Sequence, residues 1–243
     1  MDDGDDFWVG FFVMMNDLVG EFRFIRFLCK KAAMTVVVIA TAEQQQELLS
    51  PLKNHEGDGA MSVVWLNEPA YVEGAEACIN LRAEECWLDQ GLPGQLPPLV
   101  IINAVTTDRS DWPEHFIRIN GWAGFLKGTT LEAAGGTAHQ QQAAENLMMQ
   151  FGRQLEWVSD QPGFIGARVV SSIINEAYLT LQEKVSSKED IDTAMRLGTN
   201  YPMGPFAWAK AIGIKKIYAL LKKLAGEHSR YKPAALLQEE AER

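Results

Sequence analysis

Residues 35–40 read TVVVIA, a short continuous run of apolar, mostly β-branched residues. Such a run is typical of a strand that is buried on both faces of a sheet. The following stretch, AEQQQELLSPLKN at residues 42–54, places its leucines on one side and predicts a helix. Because a strand buried on both faces needs cover on both faces, these residues predict the start of an α/β domain.

Similar runs recur four times in the next part of the chain. They are MSVVWL (61–66), ACINLR (77–82), PLVIINAV (98–105) and HFIRIN (115–120). Strands that are separated by helical or irregular stretches imply parallel β-α-β units with right-handed crossovers. We therefore predict that residues 34–160 form a doubly wound, Rossmann-like parallel sheet domain.

The spacing of apolar residues changes to three and four in residues 161–243, which predicts an all-α domain. Ser186 with Glu189 predicts a capping box at the start of one of its helices. Gly198 predicts the end of that helix, where a C-terminal cap needs freedom in φ. A further helix is predicted over residues 207–224.

Residues 1–33 do not fit either domain. They are aromatic and apolar, but acidic residues come first and four charged residues interrupt the run: Asp17, Glu21, Arg23 and Arg26. A signal peptide has the opposite order of charges, and a membrane span needs roughly 20 uninterrupted apolar residues. We expect this segment to lie upstream of the natural start or to be a weakly ordered extension; a membrane-surface helix is the alternative.

Composition limits the classes of partner. The net charge of −10 argues against nucleic acid, which requires clustered basic residues. The densest basic group is interpreted as a solvated helix face: Lys215, Lys216, Lys222 and Lys223. The three cysteines form no metal-ligand pair and no disulfide framework, so we predict no metal site and a cytoplasmic location.

The helical part carries a series of five motifs. They are Pro162-Gly163-Phe164-Ile165, Asn175-Glu176-Ala177, Glu189-Asp190-Ile191-Asp192, Tyr201-Pro202-Met203-Gly204-Pro205-Phe206 and Arg230-Tyr231-Lys232-Pro233-Ala234. This series resembles the C-terminal domain of the 3-hydroxyacyl-CoA dehydrogenases. The resemblance implies an NAD-binding Rossmann domain, a helical domain that forms a homodimer, and a site between them for an acyl thioester of coenzyme A.

The same resemblance assigns the residues of a catalytic site. The family's fifth strand ends in a His that acts as general base, and a Glu twelve residues later orients it. Those positions are occupied here by Asn120 and Glu132. Thr106 lies beside the position of a substrate-contacting Ser, and Arg168 is a candidate for the phosphates of coenzyme A. Trp122 either fills the substrate entrance or packs in the seam between the domains.

Two further family positions are changed, and the histidines offer no substitute. The second catalytic Asn of the family falls on Ala167, and Lys127 is the other cation near the seam. We expect the histidines to be exposed and non-catalytic: His55, His115, His139 and His228.

Whether the chain can bind NAD depends on the turn after the first strand. Family members have a Gly-rich turn there, which lets the backbone approach a pyrophosphate at the start of a helix. Residues 40–45 read ATAEQQ, without glycine, and Glu43 adds a negative charge. Glu68, near the end of the second strand, remains as a candidate for the ribose hydroxyls. The sequence of the turn argues against NAD binding, whereas Glu68 could still bind the ribose of NAD.

Three functions remain open. The chain is an NAD-linked 3-hydroxyacyl-CoA dehydrogenase of fatty acid metabolism, a non-catalytic acyl-CoA-binding protein, or a dimeric regulatory or scaffold protein that pairs with itself or with an active relative. Asn takes up no proton at neutral pH, and general acid–base catalysis is worth ~10²–10⁴ in rate. The residues therefore favour a catalytically impaired family member, a pseudoenzyme.

Overall fold

A computed structural model describes most of the chain. Within residues 1–33 it has two strands, β1 (Val9–Asn16) and β2 (Phe22–Cys29), which pair antiparallel in a sheet of their own. The alternative of a membrane-surface helix is therefore wrong for these two stretches. The described residues are 9–16, 22–29, 34–50, 61–90, 92 and 94–243, and His55 lies outside them.

A seven-stranded sheet forms the next part, in the order β4-β3-β5-β6-β7-β8-β9. The run from β4 to β7 is parallel, as predicted, while β8 is antiparallel to β7 and β9 is parallel to β8. The strands are β3 (Met34–Ile39), β4 (Met61–Leu66), β5 (Ala77–Asn80), β6 (Leu99–Asn103), β7 (Ile117–Ile119), β8 (Thr130–Gly135) and β9 (Gln154–Trp157).

Two of these strands were not predicted. β8 reads TLEAAG and β9 reads QLEW, and neither has the continuous β-branched character of the first five. Small residues and charges have low strand propensity, so pairing with neighbouring strands decides their conformation.

Helices cover both faces of the sheet, which confirms the doubly wound, Rossmann-like fold. Leu48 of α1 (Ala42–Leu49) and Leu147 of α3 (Ala138–Gln150) pack on one face. Trp87 of α2 (Ala83–Gln90) packs on the other. Successive strand residues alternate between these two cores because side chains in a strand point to opposite faces.

The helical part contains five α-helices among the described residues, and all but the second of them share one apolar core. None of the described helices is long and apolar enough to cross a membrane. The helices are α4 (Gly166–Gln182), α5 (Lys188–Gly198), α6 (Pro205–Ile212), α7 (Ile214–Glu227) and α8 (Ala235–Glu242).

The predicted cap at the start of α5 is displaced by one residue. The N-cap is Ser187, whose hydroxyl accepts a hydrogen bond of 3.1 Å from the Asp190 amide. The prediction of Ser186 with Glu189 was therefore wrong, because either adjacent serine satisfies the sequence pattern.

The end of α5 lies at Gly198, as predicted, but the residue with left-handed backbone is Asn200, with φ 57°. The single helix predicted over residues 207–224 is interrupted at Gly213, where φ is 100°, and becomes α6 and α7. Only glycine adopts this conformation readily, so Gly213 allows the chain to change direction between two helices.

A buried arginine joins the sheet to the segment that leads into α4. Arg118 of β7 is fully buried; its guanidinium group pairs with Asp160 and donates to the carbonyl oxygens of Ala104 (2.9 Å) and Thr107 (2.9 Å). Its guanidinium carbon also lies 5.4 Å from the centre of the Phe164 ring. Arg118 is thus a paired buried charge, and its contact with the Phe164 ring links the sheet to the helical part.

Candidate active site

The polar residues assigned from the sequence lie at the carboxyl edge of the parallel strands, where open α/β sheets bind ligands. Asn120 directly follows β7, Glu132 lies within β8, and Thr106 follows β6. β7 and β8 are neighbours in the sheet, so their side chains are brought together.

Asn120 and Glu132 are bonded to each other. Asn120 Nδ2 donates to Glu132 Oε2 at 2.9 Å, and the Asn120 amide donates to the Glu132 carbonyl oxygen at 3.1 Å. Asn120 is only 1% exposed. The structure therefore brings Asn120 and Glu132 together, as predicted. The side-chain amide of Asn120, however, neither releases nor takes up a proton at neutral pH.

Glu132 also binds the start of α4. Its Oε1 accepts hydrogen bonds of 2.9 Å from the amides of both Ile165 and Gly166. The N-cap residue of α4, Ile165, has no side chain that can do this. A Cβ at position 166 would lie 2.6 Å from the Phe125 ring and 3.2 Å from Glu132 Oε2, so only glycine fits. Glu132 thus caps a helix of the other part of the chain.

Trp122 belongs to the core that the two parts share. It is 2% exposed and packs in one cluster with Val105, Phe164 and Ala167. Its indole N–H has no hydrogen-bond partner among the described residues. The indole fills the seam beside Ala167, the position of the family's second catalytic Asn.

Thr106 is held by a residue that the sequence interpretation missed. Glu84 Oε1 accepts from the Thr106 amide (2.6 Å), the Thr106 hydroxyl (2.8 Å) and the Thr107 amide (3.1 Å). Burial raises the pKa of Glu84. An acid in the first turn of α2, directly after β5, was the signal in the sequence.

Both candidate cations for coenzyme A phosphates have partners within the chain. Arg168 Nε donates to the Pro162 carbonyl oxygen at 2.7 Å. Lys127 Nζ lies 3.4 Å from Glu47 Oε1, and Glu47 also accepts from the Gly124 amide at 2.9 Å.

The turn between β3 and α1 does not fit a dinucleotide phosphate. Thr41 and Gln44 form a reciprocal capping box, with the Thr41 amide donating to Gln44 Oε1 at 2.9 Å and the Gln44 amide to Thr41 Oγ1 at 3.3 Å. Hydrogen bonds from its own amide and from Thr41 lower the pKa of Glu43. The start of α1 therefore satisfies its own amides and holds a carboxylate where an anion would bind.

Glu68 is placed at the end of β4 as predicted, but it is paired with an arginine. Its Oε1 lies 2.9 Å from Arg82 Nη1, and the carboxylate is 64% exposed. Arg82 was not identified from the sequence, although it directly follows the apolar run of β5.

The described residues contain no cluster of metal-ligating side chains and no buried histidine. They contain no group of three or more His, Cys, Asp or Glu that could hold a metal ion. The described histidines are exposed, as expected: His115, His139 and His228.

Comparison with known proteins supports the resemblance of the helical part. Residues 163–242 match the family described as 3-hydroxyacyl-CoA dehydrogenase, C-terminal domain. The chain is 45% identical over 96 residues to the 3-hydroxyadipyl-CoA dehydrogenase of Escherichia coli, covering 39% of this chain and 20% of that enzyme. It is 34% identical over 139 residues to the 3-hydroxybutyryl-CoA dehydrogenase of Bradyrhizobium diazoefficiens, covering 55% and 46%.

Solved structures show the same relationship. A 3-hydroxybutyryl-CoA dehydrogenase from Escherichia coli is 30% identical, with a TM-score of 0.51, over 60% of this chain and 32% of that one. An (S)-3-hydroxybutyryl-CoA dehydrogenase from Ralstonia eutropha covers 86% of this chain and 93% of its own at 20% identity and a TM-score of 0.60, which shows the shared fold. The chain spans less than half the length of the two sequence relatives above.

Proposed function

We propose that this chain, which belongs to the 3-hydroxyacyl-CoA dehydrogenase family through its helical part, is a catalytically impaired member of that family. The observation that carries the proposal is the hydrogen bond of 2.9 Å between Asn120 Nδ2 and Glu132 Oε2. It puts an amide where the resemblance implies the general base of an oxidoreductase. Without a base, loss of the hydroxyl proton has no assistance, at a cost of ~10²–10⁴ in rate.

The cofactor turn supports the same conclusion. NAD is the cofactor that the family implies, but the capping box of Thr41 and Gln44 already satisfies amides at the start of α1. The carboxylate of Glu43 lies there as well, and it repels a diphosphate. On this proposal the chain lacks both the proton acceptor and the Gly-rich turn that would bind the phosphates of NAD.

Reduction of acetoacetyl-CoA by NADH, followed by nicotinamide absorbance, tests the proposal. The wild-type chain should show no turnover above background, and an active 3-hydroxybutyryl-CoA dehydrogenase serves as positive control. Asn120→His should also stay inactive, because it restores the base but not the turn that binds the phosphates of NAD.

The outcomes separate the two defects. Turnover by the wild-type chain would overturn the proposal. Turnover by Asn120→His alone would show that the base is missing but that the cofactor site is intact. Circular dichroism of both proteins establishes that the substitution has not unfolded the chain.

An exposed apolar stripe on α4 favours a second function, which is dimerisation through the helical part. Ile165, Val169 and Ile173 form one stripe along α4, and Ile165 and Val169 are 60% and 53% exposed. The stripe continues into a groove of about 410 Å³ between α4 and α5, whose lining includes Ala177, Ile191, Ala194 and Met195. An apolar surface of this kind is typical of a protein–protein interface.

We infer that a second copy of the chain covers this stripe, which makes the protein a homodimeric scaffold. Val169→Glu should produce a monomer in sedimentation velocity experiments, whereas Leu88→Glu, at an exposed leucine of α2, should not. A monomeric wild-type chain at micromolar concentration would contradict the inference.

Three finer predictions accompany the proposal. Acyl-CoA binding has Arg168 as its candidate cation, although the Nε of that residue is bonded to Pro162. A cytoplasmic location agrees with the buried free thiols of Cys78 and Cys86. The division into residues 1–33, 34–160 and 161–243 stays a prediction.

A further inference from the structure

The crevice that binds dinucleotides in doubly wound sheets lies where the strand order reverses. Here the chain passes from β3 to β4 on one side and then returns past β3 to β5 on the other. The reversal therefore falls at the carboxyl end of β3, next to the start of α1. The residues that follow β3, β4 and β5 form the edge of this crevice.

The side chain of Arg82 spans this edge. Arg82 follows β5, and its Nη1 donates to the carbonyl oxygen of Asn67 and lies 2.9 Å from Glu68 Oε1, both of which follow β4. β3 lies between β4 and β5, so the two anchoring points are about two strand spacings, roughly 10 Å, apart. The guanidinium group must therefore cross the carboxyl end of β3.

The ion pairs continue from the sheet to the helical part. Arg82 Nε lies 3.2 Å from Glu85 Oε2, and Glu85 Oε1 lies 2.8 Å from Lys216 Nζ on α7. Lys216 and Lys223, which were interpreted from the sequence as part of a solvated face, are partly exposed and form ion pairs, Lys223 Nζ with Asp108. The chain of charges thus runs from the end of β4 to α7.

A second bridge crosses the crevice at main-chain level. Gln44, in the first turn of α1, donates from Nε2 to the carbonyl oxygen of Leu81 at 2.9 Å. Leu81 directly follows β5, so this bond joins the start of α1 to the neighbouring strand. The crevice is therefore bridged from α1 to β5 by an amide and from β5 to β4 by a guanidinium group.

We propose that Arg82 is an internal strap that closes this crevice and holds its edges together in place of a bound dinucleotide. The strap goes beyond the missing general base, because it concerns the structure of the crevice and not the chemistry at Asn120. A dinucleotide that entered would have to displace Arg82 from two carboxylates and one carbonyl group. Hydrogen bonds between charged groups make that displacement unfavourable.

Two measurements on the full chain test the strap. Titration with NADH, followed by nicotinamide fluorescence, should show no saturable binding up to millimolar concentration. Arg82→Ala should then increase hydrogen exchange at residues 40–44, which follow β3, and at residues 67–68, which follow β4. It should also lower the melting temperature by about 2–4 °C. Arg196→Ala, at an exposed arginine of α5, should change neither quantity.

Each outcome bears on the strap. Saturable NADH binding by the wild-type chain would overturn it, because the crevice would be open. Unchanged exchange at residues 40–44 in Arg82→Ala would also overturn it. If Arg82→Ala does not fold, Glu68→Gln removes the ion pair at nearly constant size and should raise exchange in the same segments. Turnover assays report separately on the proposed loss of catalysis.

Discussion

Two carboxylates, Glu132 and Asp192, have the same structural task in different parts of the molecule. Asp192 of α5 accepts hydrogen bonds from the amides of Phe206 (2.7 Å) and Ala207 (3.0 Å) at the start of α6. Glu132 of β8 accepts two such bonds at the start of α4. Each carboxylate is packed against a glycine that precedes or begins the helix.

The difference lies in how each residue is interpreted from the sequence. Asp192 belongs to a motif of the helical part, whereas Glu132 occupies the position of a residue that orients a catalytic base. In this structure both cap a helix, so a family position alone does not establish a catalytic role. Both carboxylates bind the main chain of another element, whereas the loss of the base and of the phosphate turn stays a proposal.

Asn175 extends this comparison within the helical part. Its side chain accepts from the Ala234 amide at 2.8 Å and donates to the Lys232 carbonyl oxygen at 3.0 Å. Asn175 and Ala234 lie in two of the motifs that carry the resemblance. These two motifs therefore bind each other, which is a contact that stabilises the fold of the helical part.

The largest expected effect is the loss of stability on replacing Arg118, which we compare with the loss on replacing Glu132. Arg118→Met removes a buried charge, leaves the carbonyl groups of Ala104 and Thr107 without their donor and takes from Asp160 its buried partner. We expect the free energy of unfolding to fall by about 3–5 kcal/mol. Urea denaturation measures this, with Arg109→Met, at the more exposed partner of Asp160, as a control that costs about 0–1 kcal/mol.

A smaller effect on stability is expected from replacing either capping carboxylate, Glu132 or Asp192. Glu132→Ala and Asp192→Ala should each lower the free energy of unfolding by about 1–2 kcal/mol, because each removes the acceptor from two helix amides. Glu132→Gln should cost less, since its amide oxygen still accepts one bond. Thermal denaturation of the four proteins, including the wild type, gives the ranking. A Glu132→Ala variant as stable as the wild type would show that the two carboxylates are not equivalent.

The smallest expected effect depends on pH. The pKa of Glu84 is raised by burial, so the folded chain favours its protonated form. Its stabilising contribution is complete below the unfolded pKa of about 4.3 and is lost as the pH rises through the higher folded value.

Glu84→Gln removes this dependence while keeping an oxygen for Thr106 and Thr107. The variant should match the wild type in acid and be more stable at neutral pH, by a margin that grows as the pH rises. Urea denaturation over a pH series measures the difference. A stability difference that does not change with pH would contradict the assignment.

Local patterns in the sequence were sufficient for the five parallel strands and the helical part. The β-branched runs that begin at Val36 and the helical spacing after Pro162 reflect burial that repeats along the chain, and such repeats need no knowledge of partners. The position of the Asn120–Glu132 pair could be predicted because the resemblance supplied the spacing. β8 escaped prediction because its conformation depends on its neighbours.

The sequence by itself determined the fold class and the resemblance of the helical part, and it places an Asn at position 120. Only the tertiary structure decided that Glu132 caps α4, that Arg82 crosses the end of β3 and that Lys216 pairs with the sheet part. Glu132 and Gly166 are 34 residues apart, and Lys216 and Glu85 are 131 apart. Several of these partners are main-chain amides and carbonyl groups, which every residue carries, so their selection leaves no pattern in the sequence.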